Sequence, residues 1–179
     1  MLAAITQVLN QDSDTQVDVC MTSEMARRIE LWTAMYEDNA PWVDRKKVKS
    51  AQLPAAIASE VARLVTLEMK SEITGGSSAT YLNEQYQKKV LKSIRRYVEY
   101  GCAKGGLILK PYVTKTGLAI QYVQADCFFP LAFDDSGQIQ QCVFTEQFRK
   151  GQKIYTRLEV HTLQGEQIRV TNRAFVATN

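Results

Sequence analysis

The hydrophobic pattern of this chain changes its period once, at the glycine pair Gly105–Gly106. Before this pair, apolar residues recur every three or four positions, which is the spacing of one helix face. From Leu107 onward apolar and polar residues alternate, as in strands with one buried face. Because helices come first and strands follow, the pattern predicts an α+β protein, with three helices followed by a mainly antiparallel β-meander.

The same pattern predicts three segments within one α+β domain. We expect residues 1–21 to form an extended or mobile arm, because Gln11–Asp18 is polar and acidic. Residues 22–105 are predicted to be helical. Residues 106–179 are predicted to form an antiparallel β region that packs on the helices.

Capping and breaking residues place the helix ends. The first helix should begin at Thr22 or Ser23, whose hydroxyl oxygen can accept an unpaired amide, and end at Asn39–Pro41, since the residue before proline avoids helical geometry. The second should run from Pro54 to Ile73 and the third from Ala79 to Cys102. The predicted strands are Leu107–Val113, Leu118–Val123, Cys127–Phe133, Ile139–Phe148, Lys153–Thr162 and Gln167–Val176.

The second helix is apolar over most of its surface. We expect its main buried stripe to consist of Ile57, Val61, Leu64 and Val65, and Ala58, Ala62 and Leu67 to widen it. A helix of this kind usually packs against neighbours on more than one side. The pattern therefore predicts that this helix lies inside the fold.

Composition and cysteine spacing exclude several classes of protein. Hydrophobic residues make up 45% of the chain, charged residues 23%, and the net charge is only +3. Four widely separated cysteines without a CxxC pair favour reduced structural thiols in a cytosolic protein over a metal site. There is no run of about twenty apolar residues, so we expect no membrane span. The opening MLAAITQVLN lacks the features of a signal peptide.

The strongest catalytic candidate in the sequence is a pair of residues on a predicted strand. His161, the one histidine, follows Glu159 by two positions, so both side chains should lie on one face. Such a pair can act as a base with its orienting carboxylate, or as two metal ligands. No second histidine or acidic cluster completes a site. We therefore expect no catalytic residue, no cofactor and no metal, with a small metal-dependent hydrolase using this pair as an alternative.

Two surfaces are better candidates for function. The third helix has a basic side formed by Lys88, Lys92, Arg95 and Arg96, which can contact phosphates or an acidic partner, or simply be solvated. The second surface is an aromatic corner formed by Trp32, Tyr36 and Trp42. Aromatic residues are favoured at interfaces, although they also fill cores.

Several motifs occur in an order that resembles one protein family. They begin with ARRIELWTAMYEDNAPW at Ala26–Trp42 and continue with LPAAIASEVARLVTLEMKSEI and KKVLKSIRRYVEYGCAKGGLILKPYV. A Tyr-Val-x-Ala-Asp…Phe-Pro turn and a Tyr-Thr-Arg-x-Glu-x-His strand follow. This ordered set resembles the portal proteins of tailed bacteriophages, which are often described as minor capsid proteins in phages of Gram-positive hosts.

The resemblance implies a structural role in the virion. Portal proteins form rings, usually of twelve subunits, at one vertex of the capsid. They contact the major capsid protein, the scaffold, the packaging terminase and the head-completion proteins. Double-stranded DNA passes through the ring during packaging and ejection. The expected location is therefore the portal vertex, or the host cytoplasm during assembly or expression from a prophage.

The resemblance also implies which part of a portal subunit this chain would form. We expect an amino-terminal wing fragment of a longer protein, with the stem helices, the channel-lining helix and the clip beyond Asn179. The alternative of another phage or prophage protein, acting in the virion or in scaffold interaction, would share the absence of chemistry and would not require that extension.

Overall fold

Helices precede strands along the chain, which confirms the predicted α+β class. The computed structural model describes residues 2–11, 17–44, 46–47, 50–115 and 117–176. The helices are α1 (Leu2–Asn10), α2 (Ser23–Tyr36), α3 (Leu53–Thr66), α4 (Ala79–Lys89) and α5 (Ile94–Lys104), with 3-10 turns at Leu91–Ser93 and Ala125–Cys127. The strands are β1 (Leu107–Thr114), β2 (Gly117–Gln124), β3 (Phe128–Phe133), β4 (Ile139–Lys150), β5 (Lys153–Gln164) and β6 (Gln167–Val176). None of the described helices is long and apolar enough to span a membrane.

The chain divides into two compact units. One unit combines Met1–Arg28 with Asp126–Asn179, and the other is Ile29–Ala125. This division differs from the predicted boundary between residues 105 and 106. The hairpin formed by β1 and β2 belongs to the unit that contains α3, α4 and α5. The change of hydrophobic period therefore marks a change of secondary structure and not the boundary between the units.

The first unit is built on a four-stranded antiparallel meander with the order β3-β4-β5-β6. Alternating residues of its strands point to opposite faces of the sheet. One face is apolar and includes the fully buried side chains of Val143 and Leu158. The other face carries Phe144, Arg157 and His161. Burial alternates clearly along β5, where Thr156, Leu158 and Val160 are buried, whereas in β4 the successive residues Val143, Phe144 and Thr145 are all buried.

Helix α1 covers the apolar face of this sheet. Ile5 and Leu9 are buried, and they pack in one core with Phe129, Val143 and Leu158. The predicted extended or mobile arm over residues 1–21 is therefore wrong for α1. A nine-residue helix is marginal by itself in water, and it forms here because the sheet buries its apolar side. Residues 12–16 lie outside the described part of the chain.

Polar contacts hold the carboxyl end of α1. The Arg173 guanidinium of β6 donates hydrogen bonds to the carbonyl oxygens of Val8 and Leu9, at 2.8 and 3.1 Å. These carbonyls have no amide partner inside the helix, and a cation is favourable at this end of a helix dipole. The Asn10 side chain also exchanges two hydrogen bonds with the backbone of Val17. The helix end is thus joined to β6 and to the segment that follows it.

The first predicted helix is confirmed, and the second is shorter than predicted. Met25 donates its amide to the Thr22 hydroxyl at 3.1 Å, which is the expected cap of α2. Helix α3 ends at Thr66, seven residues before the predicted Ile73. Beyond Thr66, the Ile73 amide donates to the Asn83 side chain of α4. Side chains of α4 therefore supply partners that a longer helix would have supplied from its own backbone.

The third predicted helix is broken. Helix α4 ends at Lys89, a 3-10 turn follows, and α5 begins at Ile94. In a continuous helix the Lys89 carbonyl would accept the Ser93 amide. Here the Tyr122 hydroxyl of β2 donates to that carbonyl, and the Ser93 amide donates to Val90 instead. A contact with a strand distant in sequence therefore sets the break, which explains why periodicity alone missed it.

Candidate interaction surfaces

Helix α3 packs on α5 through small side chains and points its large ones outward. Ala58 and Ala62 are its buried residues. The four residues of the predicted stripe have exposed fractions between 41% and 62%, so the prediction that they are buried is wrong. Alanine lets two helices approach closely, and burying alanine leaves the large side chains outside. We define the α3 apolar face as Leu53, Ile57, Val61, Leu64, Val65 and Leu67, all of which are exposed.

An open groove lies beside this face. Its volume is about 360 Å³, and it lies between α2, α3 and the end of α5. The structure thus places the predicted interface residues Trp32 and Tyr36 next to the α3 apolar face. The groove is bordered by Trp32, Met35, Tyr36, Leu53, Pro54, Ile57, Ala58, Val61, Cys102 and Ala103.

Trp32 is packed against a glycine at a position where any larger residue would be strained. A Cβ atom built on Gly105 would lie 3.0 Å from the Trp32 ring. Gly105 also has φ +83°, a conformation that L side chains rarely adopt. The last residue of α5 is therefore followed by a glycine for two reasons, and Trp32 forms one wall of the groove.

Tyr36 has a polar role at the same groove. Its hydroxyl donates to the Glu99 carboxylate at 2.7 Å, and its ring meets Tyr100 edge to face at 6.0 Å. Burial, followed by the hydrogen bond to Glu99 and the charge of that carboxylate, raises the pKa of Tyr36 to about 12. The Arg96 guanidinium bonds to the Tyr100 hydroxyl at 2.9 Å. Tyr36 thus joins α2 to α5 while its ring borders the groove.

Trp42 does not border the groove with the other two aromatic residues, Trp32 and Tyr36. Its side chain is 66% exposed. The predicted aromatic corner is therefore two features: Trp32 and Tyr36 are half-buried in the groove, and Trp42 is accessible in the turn after α2. The basic linker residues Arg45 and Lys49 lie outside the described part of the chain.

The predicted basic face is divided by the break between α4 and α5. Lys88 belongs to α4 and forms an ion pair with Glu84, one turn earlier. Lys92, Arg95 and Arg96 border a shallow hollow together with Ser93 and Glu99. Among the described residues, neither Lys92 nor Arg95 has an ion-pair partner. We call Lys92, Arg95 and Arg96 the basic hollow, and Lys88 does not belong to it.

The Glu159–His161 pair forms as predicted, within a wider polar network. His161 Nε2 lies 2.7 Å from Glu159 Oε1, on the sheet face opposite α1. Arg157 lies 3.6 Å from Glu159 and 2.6 Å from Glu146. The described residues contain no group of three or more His, Cys, Asp or Glu side chains that could hold a metal ion. Arg157 is thus a charged neighbour of Glu159 on this face of the sheet.

Sequence reasoning missed part of the α3 apolar face. Leu53 was not singled out, and Leu67 was predicted to widen a buried stripe together with Ala58 and Ala62, of which only the two alanines are buried. Ala58 and Ala62 are four residues apart, which is also the spacing of one helix face. This alanine pair was the available signal that the small side of the helix could be the buried one.

No protein-family model, curated protein or solved structure matches this chain. The resemblance to portal proteins therefore depends on the ordered motifs quoted above. A proposal about function therefore depends on those motifs together with the α3 apolar face, the groove and the basic hollow.

Proposed function

We propose that this chain is the wing of a phage portal subunit, a structural part of the ring through which double-stranded DNA is packaged and ejected. The observation that supports this proposal best is the α3 apolar face, where five large apolar side chains are exposed along the helix and a sixth, Leu67, follows its last residue. Contiguous apolar surface of this kind marks interaction sites in soluble proteins. A subunit of a closed ring has such surface, because each copy covers part of the next.

A ring also needs two unlike surfaces on each subunit, since its contacts are heterologous. The α3 apolar face with its adjoining groove is one of them in this proposal. The basic hollow is the other, because Lys92 and Arg95 are cations without ion-pair partners among the described residues. In the assembled vertex these cations would meet an acidic surface of a neighbouring subunit or another virion protein. The proposed mechanism is therefore assembly and not catalysis.

The test uses protein expressed from its complete reading frame, examined by negative-stain electron microscopy and native mass spectrometry. We expect rings with a central channel. Ile57→Ser should give folded subunits that do not assemble, because it places a hydroxyl in the apolar contact. Ile168→Ser is the matched control, since Ile168 on β6 is also 62% exposed but lies outside the α3 apolar face. Trp42→Ala should likewise impair assembly without unfolding the subunit.

Each outcome is informative. A folded monomer from the unmodified full-length protein would contradict the ring. Rings from Ile57→Ser as complete as those from Ile168→Ser would show that the α3 apolar face is not the contact. Normal rings from Trp42→Ala would remove that residue from the interface. Circular dichroism of each variant separates a failure to assemble from a failure to fold.

A further inference from the structure

Among the residues that the structure describes, the hairpin between β4 and β5 has an outer end that extends past its neighbouring strands. Strand β3 pairs with β4 only as far as Phe144, and β6 pairs with β5 only as far as Tyr155 among the described residues. The end of the hairpin is the segment Phe148–Tyr155, in which Arg149–Ile154 is two-stranded in the described part of the chain and Tyr155, at the base, still pairs with Val176 of β6. We call this segment the ribbon tip.

A short loop fixes the geometry of the ribbon tip. Lys150 pairs directly with Lys153 across a two-residue loop, Gly151–Gln152. Gly151 has φ +63°, and Gln152 is not among the residues with positive φ, which is the φ pattern of a type II′ turn. Loops of this type match the twist of the flanking strands. The two lysines are therefore held opposite each other.

One face of the ribbon tip combines stacked rings and like charges. Phe148 and Tyr155 are cross-strand partners whose rings stack at 5.5 Å and 10°. Lys150 and Lys153 lie two residues further along the same strands, so their side chains emerge on the same face. Phe148 remains exposed although it is large and apolar. Two aromatic rings and two ammonium groups thus share one accessible surface.

This arrangement is unfavourable for the free protein. Like charges placed directly opposite each other destabilise a strand pair. Arg149 is a third cation of the ribbon tip, but it lies on the opposite face because it is adjacent to Lys150 on the strand. None of the three cations has an ion-pair partner among the described residues. The nearest acidic side chain along the strand, Glu146, is paired with Arg157. Lysines can protect a sheet edge from pairing, but that role does not require an exposed aromatic pair beside them.

We propose that the ribbon tip binds single-stranded polynucleotide, with Lys150 and Lys153 on phosphates and the aromatic pair stacking against an unpaired base. Proteins that bind single strands combine a basic track with aromatic rings of this kind, because every base offers a π-face. A duplex keeps its bases stacked on each other, so it can use the cations but not the rings. This site is separate from the α3 apolar face, and it does not depend on ring assembly.

The experiment measures the fluorescence anisotropy of labelled oligothymidylate and oligouridylate with the full-length protein over a range of salt concentrations. Two phosphate contacts predict a slope of about −1.4 in log K against log salt, since each contributes about −0.7 for single strands. Lys150→Gln should make that slope shallower by about 0.7. Phe148→Leu should weaken binding by about 5- to 150-fold with the slope unchanged, because stacking is lost and charge is not.

Matched controls separate the ribbon tip from charge elsewhere. Lys115→Gln removes one lysine from the turn of the other hairpin, β1–β2, and should change neither affinity nor slope. Arg95→Gln tests the basic hollow in the same way. The two oligonucleotides report whether the strand is DNA or RNA.

Three outcomes would overturn the proposal. The first is an unchanged slope in Lys150→Gln. The second is a larger loss from Arg95→Gln than from the ribbon-tip variants. The third concerns labelled polyglutamate used in place of the oligonucleotide. If polyglutamate binds as tightly as oligothymidylate, and Phe148→Leu has no effect on either affinity, the partner is an acidic protein. Ring formation is read separately by microscopy, so a failure here is distinct from a failure of the portal assignment.

Discussion

Helices α1 and α3 are both rich in apolar residues, yet they use them in opposite ways. Helix α1 buries its large side chains, with Ile5 fully buried, against a sheet face that accepts them. Helix α3 buries Ala58 and Ala62 against α5 and leaves Ile57, of the same type as Ile5, exposed. The comparison teaches that an apolar helix pattern predicts burial only where a surface of matching shape exists.

The largest expected effect comes from truncating the same residue type in both helices. Ile5→Ala should reduce the free energy of unfolding by about 2–5 kcal/mol, because it leaves a cavity in a fully packed core. Ile57→Ala should change it by no more than about 0.5 kcal/mol, since the side chain is exposed. Urea unfolding followed by circular dichroism and by hydrogen exchange of the β4 and β5 amides measures the first effect.

The unit Ile29–Ala125 contains both tryptophans, Trp32 and Trp42, so their fluorescence follows the unfolding of the unit that holds Ile57. An equal loss of stability in the two variants would mean that the outer face of α3 is covered in solution. That result would remove the contrast between the two helices.

An intermediate effect on the free energy of unfolding is expected when a buried alanine of α3 is replaced by a larger residue. Ala62 is fully buried against its neighbours, so Ala62→Leu should cost about 1–3 kcal/mol through overpacking. Ala56→Leu is the matched control, because Ala56 is exposed and leucine is nearly as good a helix former as alanine. Urea unfolding followed by tryptophan fluorescence compares the two. A neutral Ala62→Leu would show that the alanines are not the close contact of α3.

The smallest expected effect on the free energy of unfolding comes from Tyr36, which borders the groove, and this effect depends on pH. The pKa of Tyr36 is about 12 in the folded chain, against an ordinary value of about 10. Between these two pH values the Tyr36 hydroxyl keeps its proton in the folded chain and loses it in the unfolded chain. The contribution of Tyr36 to the free energy of unfolding is therefore complete below pH 10 and is lost as pH rises toward 12. Tyr36→Phe should cost about 1 kcal/mol below pH 10 and should flatten the decline above it.

Burial also raises the pKa of Tyr122, so a shallower decline should remain in Tyr36→Phe. Tyr81→Phe is the control, because Tyr81 is exposed and has no hydrogen bond to Glu99. Urea midpoints across this pH range measure all three proteins. If Tyr36→Phe and Tyr81→Phe had identical profiles, the Tyr36–Glu99 hydrogen bond would not contribute to stability in solution.

The elements themselves were largely predictable, because their causes are local. The Thr22 cap, the helical spacing around Ile29 and the alternation along β5 depend on residues a few positions apart. Turn glycines are local as well, since the backbone conformation at Gly151 requires no distant contact. Such signals can be read one segment at a time.

The candidate surfaces were less predictable, because their causes are distant in sequence. The Glu159–His161 pair was found, since two residues on one strand share a face. The division of the basic face was missed, because it depends on a hydrogen bond that the Tyr122 hydroxyl of β2 donates to the Lys89 carbonyl at the end of α4. The exposure of the α3 apolar face was missed because periodicity states which residues share a face and not which face has a partner.

By itself, then, the sequence determined the α+β class, the order of the elements, most of their boundaries and the strand faces. Tertiary structure decided that α1 is part of the core, that α3 turns its large side chains outward, and that Lys88 is separated from the basic hollow. The physical reason is that backbone conformation is set mostly by neighbours along the chain. Burial depends on the shape of whatever surface the rest of the chain brings against each helix.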